Sequence, residues 1–357
     1  MSVRRLLQAF DAWRATGEPI VVGTVYDTLG STYSKAGHRI LIAANGDYQG
    51  LVSGGCLEGD LAERARKVIE ARKPAAVTYD LRDEVDDLWG LGVGCNGLIR
   101  VFLQPLLAEE GYEPFTAMAQ VLLGRRAAAT ATVIESAAGG LPAGATLIDH
   151  ADTYLAFGFG ETDIEKLRER CGQVLRDGRA RFRSEEHGIA VLYAPLRPVP
   201  RLLVLGAGLD AVPLVGMAAE LGWQVTVADH RPAYLQRGGF ERAARSLLVE
   251  PDALGDHLEL DDFDAIIVMS HHLTTDRKYL SQLARVNGQY VGILGPAARR
   301  ERLLAELGEN GVALRGRLRG PVGLDIGADS PESIALSILS EMQATLAGVA
   351  VETIRRS

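Results

Sequence analysis

Four short stretches hold residue types and spacings that suit chemistry. "VSGGCLEGD" (52–60) runs from an apolar strand through two glycines and Cys56 into a helix, and "LGVGCNG" (91–97) sets Cys95 among glycines in much the same way. A thiol flanked by glycines at a helix N-terminus has a lowered pKa and open access, which suits a soft-metal ligand, a sulfur carrier or a nucleophile. Gly54, Gly55, Gly94 and Gly97 would let a ligand come close to backbone N–H groups. The bland alternative is a small residue filling a tight turn, a place that cysteine often takes. Residue types alone leave both readings open. Zinc does not fit, because neither cysteine has a CxxC partner or a nearby histidine pair. "GSTYSKAGHR" (30–39) gathers Ser31, Lys35, His38 and Arg39 into either an anion cradle or a solvated hairpin edge.

The fourth stretch is "LLVLGAGLDA" (202–211), which reads Gly206-x-Gly208-x-x-Ala211 directly after a strand and opening a helix. Gly206 allows the tight turn, Gly208 lets a pyrophosphate approach the backbone, and the helix N-terminus faces the negative charge. Asp229 ends the next strand, where a ribose-binding acid belongs. NAD is the expected dinucleotide, and Arg231 leaves the 2′-phosphate of NADP open. Asp210, close to the phosphate position, would repel an anion. An NAD(P)-dependent oxidoreductase would need a general acid, and His271 and His272 in "MSHHLTTD" are the clustered candidates. Their alternative is a pair of loop histidines at a strand end.

The elements that must position these residues fall into two sections. Up to residue 196 the pattern is strands and helices of mixed order, including a hairpin at Asn45–Gly46, a helix after Cys56 and a charged helix over 161–177. No repeats stand out. "RPVP" (197–200) is the best linker, since its prolines resist helix and sheet pairing alike. After it strands and helices alternate, the pattern of a doubly wound parallel sheet. The expected fold class is therefore α/β: an N-terminal α/β domain (1–196) with the glycine–cysteine motifs, then a Rossmann-like domain (197–357). A last helix opens at Ser330–Pro331, and its apolar stripe is free to pack back onto the first domain.

Bulk properties narrow the function. A chain of 357 residues, 47% apolar and 24% charged, is ordinary for a globular protein of two domains. Its net charge of −8 argues against nucleic acid as the main partner. The apolar runs are too short to insert in a membrane, and the amphipathic start does not resemble a signal peptide. Three cysteines far apart make no disulfide framework, so a reducing, cytoplasmic setting is expected.

Taken together, "GST" with "KAGHRIL", "VSGGCLEGD", "GVGCNG", "VLGAGLDAVPL", "VMSHHLTTD", "YVGILG" and "GPVGLDIGADSPESIALSILSE" resemble the XdhC/CoxI family over nearly the whole chain. The resemblance implies an accessory protein for molybdenum hydroxylases of the xanthine dehydrogenase and carbon monoxide dehydrogenase type. Such a protein binds the molybdenum cofactor (molybdopterin), protects it, assists its sulfuration and delivers it to the apoenzyme. Cys56 and Cys95 would then contact molybdenum or sulfur within one cleft, a cysteine desulfurase would supply sulfur, and the chain would form a homodimer. A dinucleotide-sensing scaffold without chemistry is the third reading. The chain departs from the family pattern at Ser34, Leu209 and Pro296, where arginine, histidine and serine are common.

Overall fold

A computed structural model describes residues 3–82, 97–137, 141–160, 164–185, 188–287 and 290–349. It forms two compact units, Met1–Pro198 and Val199–Ser357. The first runs α1 (Val3–Arg14), β1 (Ile20–Gly30), β2 (Arg39–Ala43), β3 (Tyr48–Gln49), α2 (Glu58–Ala71), β4 (Ala75–Asp80) and β5 (Gly97–Leu106). It continues with α3 (Phe115–Leu123), β6 (Ala128–Ser136), β7 (Thr146–Asp149), β8 (Tyr154–Phe157), α4 (Ile164–Asp177), β9 (Arg181–Ser184) and β10 (Ile189–Leu196).

This order corrects the expectation that the chain has no repeat. Helix, three strands, helix, two strands occurs twice, and the two sheets have matching strand orders, β3-β2-β1-β5-β4 and β8-β7-β6-β10-β9. The described pairings within both sheets are antiparallel. The helices that cover them match in detail. Leu61, Ala65 and Val68 of α2 are buried on the first sheet, and Leu167, Cys171 and Val174 of α4 on the second. Both triplets follow the spacing i, i+4, i+7, which places one apolar stripe along one helix face. The inner faces of the two sheets meet through Tyr26, Phe102, Ile134, Leu192 and Ala194, while α1 and α3 close one end with Phe10 and Phe115. The first unit is thus a helix–sheet–sheet–helix sandwich built from two copies of one motif.

The second unit comprises β11 (Arg201–Leu205), α5 (Ala211–Glu220), β12 (Gln224–Asp229), α6 (Pro232–Gln236), β13 (Arg245–Leu248), α7 (Leu254–His257) and β14 (Ala265–Val268). It ends with α8 (Leu273–Leu283), β15 (Tyr290–Ile293), α9 (Ala297–Glu306), α10 (Glu309–Leu314), β16 (Leu318–Arg319) and α11 (Pro331–Leu346). Its sheet is parallel in the order β13-β12-β11-β14-β15-β16. That is the doubly wound order in which the connection reverses between the first and fourth strands, here β11 and β14. Side chains alternate across it: Leu203, Leu205, Ile266 and Val268 face one core, and Leu202, Val204, Ala265 and Ile267 face the other. The apolar stripe of α11, with Ala335, Ile338, Leu339 and Met342, joins the second of these cores beside α5. The stripe that the sequence left free to cross the boundary is therefore used inside its own unit.

Phe10 is fully buried and meets the edge of Phe115, with ring centroids 4.7 Å apart, so it ties α1 of one repeat to α3 of the other. Phe10→Ala is expected to cost about 3–5 kcal/mol, as large core truncations do. Urea unfolding monitored by circular dichroism checks this.

Candidate functional site

The glycine–cysteine turn before α2 is built around a carboxylate. Glu58 is completely buried. Its Oε1 accepts the N–H groups of Val52 (2.8 Å) and Ser53 (2.9 Å). Its Oε2 accepts the Ser53 hydroxyl (2.6 Å) and the N–H of Gly55 (3.0 Å). Ser53 Oγ in turn accepts the N–H of Leu57, and the Ser34 hydroxyl donates to Val52 O at 2.6 Å. Burial pushes the Glu58 carboxyl up, but the Ser53 hydroxyl and the backbone donors outweigh it and hold the group below its ordinary value. Gly54 and Gly55 have φ of +83° and +120°, which only glycine adopts freely, and a side chain at Gly55 would enter open space. The chain therefore leaves Cys56 exposed at the start of a 14-residue helix. Among the described residues the N–H groups of Gly54 and Cys56 have no partner.

Gly97, the described end of the other motif, packs on a neighbouring segment. Gly97, first residue of β5, pairs with Gly30, and a Cβ on it would lie 2.5 Å from Ser31 O and 2.7 Å from Thr32. Two residues along, the Tyr33 ring lies 3.3 Å from where a Gly54 side chain would begin. The segment Ser31–Tyr33 thus lies against both Gly54 and Gly97. Gly94 and Cys95 lie outside the described residues, so the expected meeting of Cys56 with Cys95 does too. Lys35 stays with this segment, its Nζ 3.4 Å from Thr32 Oγ1. Arg39 does not join it. On β2 it alternates with Ile40, which faces α2, and so belongs with Leu41 on the inter-sheet face. Burial lowers its guanidinium to about 10, which leaves it cationic at neutral pH.

Cys171 gives the contrast. It is buried in the repeat's second copy at the helix position of Ala65, and burial pushes its thiol up to about 12, so it is a core side chain without reactivity. The position of Glu58 is held there by Ile164, so the second copy lacks the pinning carboxylate. Among the described residues no group of three histidine, cysteine or acidic side chains is placed to hold a metal ion. What the first copy offers is one soft sulfur, free N–H donors, open space and an exposed aromatic face at Tyr33, a combination that fits a phosphorylated, metal-bearing ring compound.

In the second unit the structure gathers Gly206, Gly208, Ala211, Asp229 and His271 at the carboxyl ends of β11, β12 and β14. Gly206, at φ +121°, packs against the Met269 carbonyl, where a Cβ would come within 2.6 Å. The phosphate turn is otherwise engaged. Asp210 covers the spot that a Gly208 side chain would take and meets His271 Nε2 at 2.7 Å. His271 itself holds a left-handed φ of +62°, an uncommon backbone conformation for a residue with a side chain. Asp229, expected to hold a ribose, is 1% exposed and already accepts from Ala207 N (2.7 Å), Arg231 N (2.8 Å) and the Arg231 guanidinium (2.8 and 2.9 Å). Burial opposes its charge, but Arg231 and the two backbone donors win and hold its carboxyl below the usual range. Tyr234 then lies between Arg231 and Arg237, 3.6 and 4.5 Å from its ring centre.

Several residues carry weight that the sequence reading missed. Glu58 pins one glycine turn and Tyr33 is the ring beside it, while Asp229, named for a ribose, also pins the turn at Ala207. A buried Asp276 joins the Ser270 hydroxyl to Arg299, with 2.6 Å to the guanidinium, below the ends of β14 and β15. The signal for Glu58 was a carboxylate two residues beyond a Gly-Gly-Cys turn. The signal for Asp229 was Arg231 at i+2.

The fold and site define a protein of two parts, a duplicated antiparallel sandwich presenting an exposed glycine–cysteine turn and a Rossmann unit. The family model for the XdhC and CoxI family matches residues 13–80, and that for the XdhC Rossmann domain matches residues 202–342. The chain is 32% identical over 342 residues to a probable xanthine dehydrogenase subunit from Bacillus subtilis, covering 96% of this chain and 97% of that one. It belongs to the XdhC and CoxI family. It is also 22% identical over 329 residues to the molybdenum cofactor insertion chaperone PaoD of Escherichia coli, across 92% of this chain and 83% of that one. The crystal structure of a xanthine dehydrogenase from Bacillus halodurans superposes with a TM-score of 0.77 at 29% identity, over 99% and 98% of the two chains.

Replacing Glu58 by glutamine sets an amide NH2 against donors and is expected to cost about 3 kcal/mol at pH 7. Because the folded-state pKa is lowered, the carboxylate's contribution is complete above the ordinary unfolded value of about 4.3. It is lost as pH falls through the lower folded value, so the gap between wild type and Glu58→Gln narrows in acid. Urea unfolding at pH 7 and near pH 3.5 measures the two gaps.

Proposed function

We propose that this protein is an accessory factor for a molybdenum hydroxylase of the xanthine dehydrogenase or carbon monoxide dehydrogenase type. In this reading it holds the molybdenum cofactor in the cytoplasm, assists its sulfuration with a cysteine desulfurase and delivers it to the apoenzyme, acting as a homodimer. The observation that carries the reading is the exposed Cys56 on a rigid glycine turn, with Ser31–Tyr33 lying against both Gly54 of that turn and Gly97. The name of the Escherichia coli relative, a cofactor insertion chaperone, supports it. The cofactor, when bound, supplies an oxo-metal on a dithiolene and a phosphorylated pterin. Cys56 is the soft contact for metal or sulfur. The N–H groups of Gly54 and Cys56 are donors for an anionic group at the N-terminus of α2. Tyr33, 58% exposed, offers a flat face for the ring.

An NAD(P)-dependent oxidoreductase is the rival reading, favoured by the sheet order and the Gly206–Gly208 turn. The engaged state of Asp229 and the Asp210 carboxylate over Gly208 weigh against it. Calorimetry with NAD and NADP is expected to give no saturable heat. Saturable binding that disappears in Gly208→Val would restore the rival.

Cys56→Ala and Cys95→Ala, each made alongside the partner hydroxylase, test the accessory role. Both variants should fold with unchanged circular dichroism, while the hydroxylase loses activity and carries less sulfurated cofactor. Cys56→Ser should behave like the alanine variant, since a hydroxyl is a poor soft ligand. A partner as active and as fully loaded as before would make the thiols turn-fillers and sink the proposal.

A further inference from the structure

We infer that the Rossmann unit carries a binding site for a phosphorylated small molecule at the ends of β15 and β16, displaced from the dinucleotide crevice. The inference rests on the chemistry of this cleft and not on the accessory reading above. A cavity of about 1330 Å³ lies there, bordered by the start of α9, the residues on both sides of β16 and the Ile334–Glu341 stretch of α11. Arg300, Arg315, Arg317 and Arg319 line it against two carboxylates, Asp325 and Glu341, in a chain whose net charge is −8. A concentration of positive charge on an acidic protein focuses anions locally. Guanidinium groups suit phosphate in particular, because their planar N–H forks match its oxygens.

The arginines are held but not used up. Arg319 is fixed by Glu341 at 3.0 Å, and Glu341 also accepts Tyr290 Oη and Gly323 N, both at 2.7 Å. This buried carboxylate locks the cleft wall and neutralises one cation. Arg300 and Arg315 share a single carboxylate, Glu301, at 2.6 and 2.9 Å. Among the described residues Arg317 reaches only Leu283 O, at 3.5 Å. The wall is rigid: Gly320 packs where a Cβ would lie 2.8 Å from Ile293, and Gly323 (φ +103°) packs on Ser337. Rigid backbone with two arginines half-neutralised and one nearly unpaired is a preorganised anion site of a size that admits a phosphate on a ring.

Isothermal titration of the full-length protein at about 0.15 M salt, with AMP, adenosine and inorganic pyrophosphate as probes, tests the site. AMP should saturate one site, pyrophosphate should compete, and adenosine should not bind. Arg317→Ala and Arg300→Gln should each weaken AMP by about tenfold or more. Glu301→Gln, which releases Arg300 and Arg315, should tighten it, and Gly208→Val should leave it unchanged. The site is overturned if AMP and pyrophosphate fail to saturate the wild type, or if adenosine binds as tightly as AMP. It is equally overturned if AMP binding survives Arg317→Ala and Arg300→Gln but is lost in Gly208→Val, which would place the ligand in the dinucleotide crevice.

Discussion

The Glu58 carboxylate is the constraint on which the glycine–cysteine turn depends. A segment carrying Gly54 and Gly55 has large backbone entropy to lose, and the two glycines have no side chains to repay that loss. Four donors converging on one buried carboxylate do so, and they fix the turn from inside the protein. The outer surface of the turn is then free of structural duty. An exposed thiol on a mobile loop would find a ligand at random angles, whereas one on a pinned turn meets it in a single geometry, with less entropy to lose on binding.

The same device recurs in the second unit. Asp229 accepts the Ala207 N–H, inside the Gly206–Gly208 turn, and Glu341 accepts the N–H of Gly323, inside the segment that follows β16. Each is a nearly buried carboxylate that ties a glycine-containing segment to a helix or strand. At Asp229 the consequence is opposite to that at Glu58. There the pin engages the carboxylate that a nucleotide ribose would contact, at the end of a sheet that has the dinucleotide-binding strand order.

Much of the architecture was legible in the sequence. The alternating grammar after residue 200 gave the parallel sheet, because buried parallel strands read as unbroken apolar runs. The glycines at 54–55 and 206 do sit in turns with positive φ. The duplication in the first unit was not legible, since a repeat kept by topology needs only apolar spacing, and the stripes Leu61–Ala65–Val68 and Leu167–Cys171–Val174 follow a pattern that any amphipathic helix shows. Glu58 was hidden for another reason. A glutamate opening a helix reads as a solvated residue favouring the dipole, and only the fold reveals that its carboxylate turns inward. Arg39 failed as a member of the anion cradle because hairpin alternation, which sends neighbours to opposite faces, outweighs nearness in sequence.

Duplication also bears on why, among the described residues, one copy presents an exposed thiol and the other a buried one. Two copies of a motif double the sheet surface available for burial, so the second copy can serve as packing partner while the first keeps a strained turn. In the second copy Ile164 stands where the first has Glu58, and the cysteine there, Cys171, is buried in the core. An apolar side chain at that position removes the cost of a buried charge. The first copy accepts that cost at Glu58 and gains a turn whose thiol faces solvent. The distribution of the two described cysteines, one exposed on a pinned turn and one inert inside a helix, follows from which copy each belongs to.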